Sequence, residues 1–519
     1  MSECYIIPVG GTGIRIMKSI VNLCMAGCFD RNQTFKVMCV DSDDINGNVK
    51  ELSDLIGCYK KVGGGMFPEI ELNVINGVEK SVWSPLSEDE KDKHSSMREM
   101  VAQSSMSDDA RDVFQVLYTE PERNKVLEGG FYGHTSIGSY FMAQEVVKDG
   151  KFTKVWSDFF GGSGDDKRGA NVFMIGSVFG GTGASGVPTI AKLIRDQYAE
   201  VNIGALLVMP YFTPHRESDT DISANLGIDG KSFVAKTKTA LKFYEEQNFK
   251  EIFNEMYFIG EKGKLLNVSY HDSGDKQKNK ATAMEVFAAT ALLDFLKSSE
   301  QDGEDKSGMS VKFFWKDIKE GENTAVVTGE TLDSAKKGMF KNMFDFLRFS
   351  VLYTKYLFPC IEQNYPKKCV AGYRTEDNME SHIALNEVCK KYIMWITDVI
   401  LENDGNGRLN KDKENSSIRW FNYKDIAEIY NCCELPFDIE QKRTDGWFSD
   451  KKDKKVFKVE KGKEEILEKM SQMVQGKSCA DGNMIVRQFW NTNPRKSGSA
   501  ILSLYEDITK IANECDTKH

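Results

Sequence analysis

Strand-length apolar runs recur along the N-terminal half of the chain, at residues 5–9, 35–40, 172–178, 203–209 and 256–260. Consecutive apolar positions with little alternation are the pattern of strands covered on both faces, as in a parallel sheet. Residues 1–50 read as strand, glycine loop, helix, strand and loop, the opening βαβ of a doubly wound fold. Residues 51–128 are more polar and read as an elaborated connection, with helical stretches near 88–103 and 108–119. A helix is expected at 139–147, and another from the glycines near 180, where Pro188 falls in an early turn that tolerates it. Residues 281–296 are apolar on nearly every helical face, so this helix should be buried all round and join two units.

The pattern changes after Lys297. Residues 298–307 are acidic and polar and mark a boundary, which divides the chain into 1–297 and 298–519. Beyond it, strands are expected at 309–315 and 324–328, and helices at 338–363, 381–401, 463–474 and 498–514. The lysine- and glutamate-rich run at 449–465 reads as a solvated loop or helix face. The fold class is α/β: a doubly wound parallel sheet carrying a ligand site, followed by an α+β or mostly helical C-terminal region.

Composition narrows the function classes. With 519 residues the chain has room for about two to four domains. The net charge is -10, and no long basic stretch lies beside aromatics, which argues against a nucleic-acid surface. No apolar run reaches the roughly 18 residues of a membrane helix. The N-terminus passes almost directly into a strand without a signal-peptide pattern, so the cytoplasm is the expected compartment. The twelve cysteines then read as free thiols. Cys24 and Cys28 lie four apart and Cys432 and Cys433 are adjacent, yet no neighbouring His or Cys completes a metal quartet, so no structural metal site is expected.

Two glycine-rich loops carry the candidate chemistry. Val9 leads into Gly10, Gly11, Thr12 and Gly13; Phe179 leads into Gly180, Gly181, Thr182 and Gly183. Each follows an expected strand and enters an expected helix. A phosphate chain needs several backbone N–H groups aimed at it, and a residue without Cβ lets the main chain come that close. The helix that follows adds unpaired N–H groups and the positive end of its dipole. A third glycine segment between them contains Gly133, His134 and Thr135. Asp41 and Asp43, after the second strand, either cap a helix or lie near a sugar or phosphate-bound Mg²⁺. Arg15 pairs either with phosphate or with an acid.

The order of these motifs over roughly the first 300 residues resembles the tubulin/FtsZ superfamily of GTPases, most closely its divergent bacterial tubulin-like members. Gly10, Gly11, Thr12 and Gly13 match the first phosphate loop, and Asp41 to Asp43 the short acidic segment after the second strand. Gly133, His134 and Thr135 fall in the loop that approaches the terminal phosphate, and Gly180 to Gly183 match the signature loop. Asn279, ahead of the buried helix, sits where the family reads guanine, or else simply caps that helix. The resemblance implies GTP/GDP and Mg²⁺ as ligands. It also implies head-to-tail self-assembly into filaments, with hydrolysis by a site that a neighbouring subunit completes. Asp302, Glu304 and Asp305 stand in the loop whose carboxylates would position the attacking water; the stretch lacks a clean match to the family pattern, and its plainer reading is a solvated acidic loop. The helical C-terminal region would dock protein partners.

Phe179, Ala184 and Ser185 depart from the signature, and Thr135 replaces a proline. These departures leave open a scaffold or nucleotide sensor without turnover. A Rossmann NAD(P) oxidoreductase is a further alternative invited by Asp41. The first loop, however, lacks the third glycine of that fingerprint, and such a fold has no use for the second loop.

Overall fold

The computed structural model describes residues 3–43, 46–75, 78–79, 82–86, 96–101, 106–127, 131, 134–161, 167–215, 230–246, 248–260, 266–269, 279–301, 312–317, 320–321, 324–326, 338–364, 373, 377–401, 418–419 and 500–516. Its centre is a seven-stranded sheet in which every neighbouring pair is parallel. The strands are β1 (Cys4–Pro8), β2 (Thr34–Val37), β3 (Glu69–Leu72), β4 (Asn171–Ser177), β5 (Asn202–Val208), β6 (Glu255–Gly260) and β7 (Lys312–Asp317). They lie in the order β3-β2-β1-β4-β5-β6-β7.

Parallel neighbours need crossovers, and helices supply most of them. They are α1 (Gly10–Met25), α2 (Gly47–Val62), α3 (Thr135–Val146), α4 (Gly181–Gln197), α5 (Gly230–Glu246) and α6 (Ala283–Gln301). Successive residues of the central strands β1, β4, β5 and β6 enter different cores. Cys4 and Ile6 of β1, with Phe173 and Ile175 of β4, pack in one apolar cluster with α1, α2 and α6. Tyr5 and Ile7, with Val172 and Met174, pack in the other with α3 and α4. Both faces are covered, which explains why these strands read as continuous apolar runs. It also puts α1 and α4 on opposite faces, although their parent strands β1 and β4 are neighbours.

Residues 281–296 behave as their composition demands. Helix α6 is buried on nearly every face from Met284 to Phe295, with Phe287 and Asp294 half-buried. Three later helices, α7 (Met339–Leu352), α8 (Met379–Leu401) and α9 (Ala500–Asp516), join the α1/α2 core. Trp395 Nε1 donates to Ser19 Oγ of α1 at 3.3 Å, and Asn342 Nδ2 to the Gly27 carbonyl at 3.1 Å.

Several boundaries differ from expectation, each for a local reason. The strand expected at 35–40 breaks at Met38, and Cys39–Val40 pairs instead with Val82–Trp83. The expected helix at 338–363 runs as α7, a π-helical turn at Tyr353–Leu357 and a short helix at Phe358–Gln363. Pro359 donates no N–H and crowds the carbonyl four residues back, and a wider turn relieves that. Helix α2 and strand β3 lie in the stretch read as connection, and α5 was not anticipated. The expected helix at 463–474 and the charged run at 449–465 lie outside the described residues.

Candidate phosphate and base site

Chain order reverses between β1 and β4: the sheet grows one way through β2 and β3, then resumes on the other side of β1. Such a switch point opens a crevice at the carboxyl ends of the strands, because the helices leaving the two strands diverge to opposite faces. The two glycine loops follow these two strands.

The loops touch. Gly10 opens α1 at φ 75°, a left-handed conformation that favours glycine. A Cβ added there would lie 3.2 Å from the Gly183 nitrogen and 3.4 Å from Thr182 Cβ. Gly183 sits tighter still: its Cβ would lie 2.8 Å from Ser177 N and 2.9 Å from Ser177 O at the end of β4. Val9 and Gly180 precede the two helices and give no side-chain cap to either. The first turn of α1, through Gly10, Gly11, Thr12 and Gly13, thus meets the first turn of α4, through Gly181, Thr182 and Gly183 with Gly180 ahead of it, at the crevice.

The segment after Cys39–Val40 reaches the second loop. Ser42 Oγ and Thr182 Oγ1 are 3.1 Å apart, which ties it to the second loop. Asp41 and Asp43 are both buried, and the Asp43 N–H donates to Asp41 Oδ1 at 3.3 Å. Burial pushes the Asp41 carboxyl up to about 7. The neighbouring Asp43 charge adds to that, while hydrogen bonds from the Asp43 and Ser42 backbones and from Thr182 oppose it. Neither aspartate caps α2; Asn46 does, accepting from the Asn48 N–H at 2.9 Å.

His134 is the residue before α3 and Thr135 the first within it. His134 Nδ1 lies 3.4 Å from Glu122 Oε1; burial lowers the imidazole pKa, with Lys125 adding to the effect and Glu122 opposing it. The first turn of α3 packs on α4, where Ser185 lies against Gly138 and donates to the Gly181 carbonyl at 2.7 Å. Ser185 thus holds the second loop's first turn from within. Gly133, Asp302, Glu304 and Asp305 lie outside the described residues.

Asn279 is half-buried and bonded to α2: its N–H donates to Asn48 Oδ1 at 3.1 Å, and Asn48 Nδ2 donates to Asn279 Oδ1 at 3.3 Å. Arg15 pairs with an acid. It forms a buried ion pair with Glu285 of α6 and reaches the Lys280 carbonyl at 3.5 Å. Tyr211 donates to the same glutamate at 3.2 Å, and the Thr282 N–H at 3.3 Å. The glutamate was the acid to look for, placed on the helix face that meets α1. Asn48 and Glu285 escaped the motif reading, since their partners Asn279 and Arg15 lie far away in sequence.

Among the described residues no group of three or more His, Cys, Asp or Glu side chains is placed to hold a metal ion. No described helix is long and apolar enough to cross a membrane.

No protein-family model and no curated protein sequence matches the chain. Among solved structures, CetZ from Methanosaeta thermophila strain DSM 6194 is similar at 13% identity over 59% of this chain and 57% of its own, with TM-score 0.27. CetZ2 from Haloferax volcanii, a GTPγS-bound protofilament, is similar at 10% identity over 59% of this chain and 60% of its own, with TM-score 0.28. A probable tagatose 6 phosphate kinase from Sinorhizobium meliloti 1021 aligns over 100% of both chains at 8% identity, with TM-score 0.21. The matches thus span 57% and 60% of the two CetZ chains. At these scores the functional reading has to come from the site's own geometry.

Proposed function

We propose that this chain is a cytoplasmic, tubulin/FtsZ-like GTP-binding protein that assembles head to tail and hydrolyses GTP at the junction between subunits. The observation that carries the reading is the meeting of two uncapped helix N-termini, those of α1 and α4, at the switch point of a parallel sheet. Their amides and dipoles favour a di- or triphosphate group there. Residues 1–297 form the nucleotide-binding unit in this reading, and the helical region after it docks partners.

The donor set beside the cradle fits Mg²⁺. Asp41 and Asp43 are buried carboxylates that repel one another, and the Ser42 and Thr182 hydroxyls lie next to them. Mg²⁺ takes oxygen ligands and is commonly held by one or two carboxylates plus substrate phosphates. When bound, it neutralises charge on the phosphate oxygens. The chain's own contributions are the loop amides that stabilise that charge and Asn279, which reads the base. Asp302, Glu304 and Asp305 orient water for the neighbour's nucleotide. A head-to-tail contact of this kind is heterologous and open, so it generates filaments.

A second reading, a nucleotide-binding scaffold or sensor without turnover, is favoured by Ala184. It is buried in the α3/α4 core at a signature position where a hydroxyl is usual.

The test is GTP binding and phosphate release across a protein concentration series with Mg²⁺, with ATP and NAD run alongside. GTP-selective release whose specific rate climbs with concentration supports the assembling GTPase. Binding without release supports the sensor. NAD binding without GTP binding overturns both in favour of a dinucleotide enzyme.

A further inference from the structure

The helix Asp108–Leu117 touches the rest of the molecule through a narrow side. Of its ten residues Phe114 is buried and Arg111 half-buried, and the others are exposed. Phe114 meets Tyr118 at 5.1 Å between ring centroids, and Tyr118 meets Tyr140 of α3 at 6.5 Å, which fixes the inner side. The outer side carries Val113, Val116 and Leu117, exposed by 58%, 86% and 65%. Spacings of three and four residues make side chains neighbours on one helical face, so these three form a single apolar strip. Apolar residues scattered singly are ordinary on a surface, whereas a contiguous strip marks a contact.

The strip has an acidic border. Asp109 and Asp112 are exposed on the same helix, and Glu120 just beyond its end. Asp108 is already paired with Arg111 at 3.0 Å. An occupant therefore has to bring apolar side chains set among cations. Residues 451–459 of this chain have that composition: Lys451, Lys452, Lys454, Lys455 and Lys458 against the one acid Asp453, with Val456, Phe457 and Val459 among them. They lie outside the described residues. The stretches 420–450 and 460–499 tether them, and at roughly 3.3 Å per extended residue either is long enough to reach a neighbouring molecule.

We propose that the helix Asp108–Leu117 docks the lysine-rich segment 451–459 of a second copy of this chain. Phe457 and its flanking valines cover the Val113, Val116 and Leu117 strip, and the lysines face the acids along its border. Apolar burial holds such a contact, while the opposite charges select the partner and speed the encounter. The two halves are different surfaces, so the contact is heterologous and every copy offers both. It does not depend on the nucleotide reading of the crevice.

Sedimentation of the full chain without nucleotide tests the proposal. Wild type should self-associate, and less so as NaCl rises from about 0.05 to 0.5 M. Val116→Lys sets a cation in the strip and should weaken association about tenfold, with the unfolding midpoint unchanged because Val116 is 86% exposed. Asp112→Lys with Glu120→Lys should do the same, and so should Lys454→Glu with Lys458→Glu. All four changes in one chain should return association to within about threefold of wild type. Such a return requires that the two surfaces meet, which a loss alone does not. A fluorescent peptide of residues 449–462 should bind the full chain and bind Val116→Lys about tenfold more weakly. A wild-type chain that stays monomeric at every concentration overturns the proposal. So does association that Val116→Lys leaves unaltered, a four-change chain no better than its two parents, or a peptide that does not bind. Peptide binding by a chain that stays monomeric also overturns it, since the segment then covers the strip within one molecule.

Discussion

Gly183→Ala isolates the close approach on which the site depends. The added methyl would stand 2.8 Å from Ser177 N, 2.9 Å from Ser177 O and 3.3 Å from Val9 O, all backbone atoms of the sheet or of the first loop. Ordinary Cβ contacts begin near 3.4 Å, so the first turn of α4 must retreat by about 0.6 Å. Backbone in a central sheet cannot swing aside as a side-chain tip can, and overpacking of this kind costs about 1–3 kcal/mol. Alanine is the better helix former by about 1 kcal/mol, which offsets part of the loss. The net expectation is destabilisation of up to about 2 kcal/mol. Gly57→Ala in α2 is the control, since no atom lies within 4 Å of its Cβ. There only propensity acts, and stability should rise by about 0.5–1 kcal/mol. Urea unfolding and thermal scans of the two variants measure the contrast. Displacing the second-loop amides by half an ångström should also weaken GTP binding about tenfold, which titration reads. A Gly183→Ala protein as stable as Gly57→Ala, with GTP affinity intact, would refute the packing argument.

Gly181→Asp should abolish GTP binding, because a carboxylate would stand among amides aimed at phosphate; unchanged affinity by titration would remove the loop from the site. Glu285→Gln should destabilise by about 3–5 kcal/mol in urea unfolding, since it leaves the Arg15 charge buried without its partner, and Arg15→Met in the same chain should restore most of the loss. Burial raises the Glu3 carboxyl, but hydrogen bonds from Lys36, Tyr5 and Lys167 outweigh it and hold the group at about 2. The stability it supplies is therefore complete above pH 4.5 and lost as pH falls toward 2. Glu3 is partly exposed, so the effect should be about 1 kcal/mol, seen as a shallower acid limb of the stability–pH curve in Glu3→Gln. Alanine at Asp302, Glu304 and Asp305 together should leave GTP binding intact and slow phosphate release; equal rates would clear that loop of a catalytic role.

Local chemistry wrote much of this molecule into its sequence. Strands buried on both faces need apolar residues at every position, so β1, β4, β5 and β6 were visible as runs, and α6 as a helix without a polar face. The glycine loops were visible because amide donors can crowd a phosphate only where side chains are absent. Helix α2 was legible in principle: Val49, Leu52, Ile56, Tyr59 and Val62 fall at helical spacing and are all buried. Its low overall hydrophobicity and the interior Gly57 masked that stripe. The tertiary structure decided what depends on residues far apart in the chain. Strand order placed two loops, separated by some 170 positions (Gly10 and Gly180), in contact at one switch point. Arg15 had two chemically sound partners, and only the docking of α6 against α1 chose Glu285. Asn48 and Asn279 are 231 positions apart, and their carboxamide orientations follow from a meeting that no local pattern encodes. Propensity and periodicity act over a few residues, whereas a site is assembled by packing, so the elements were written locally and the partnerships were not.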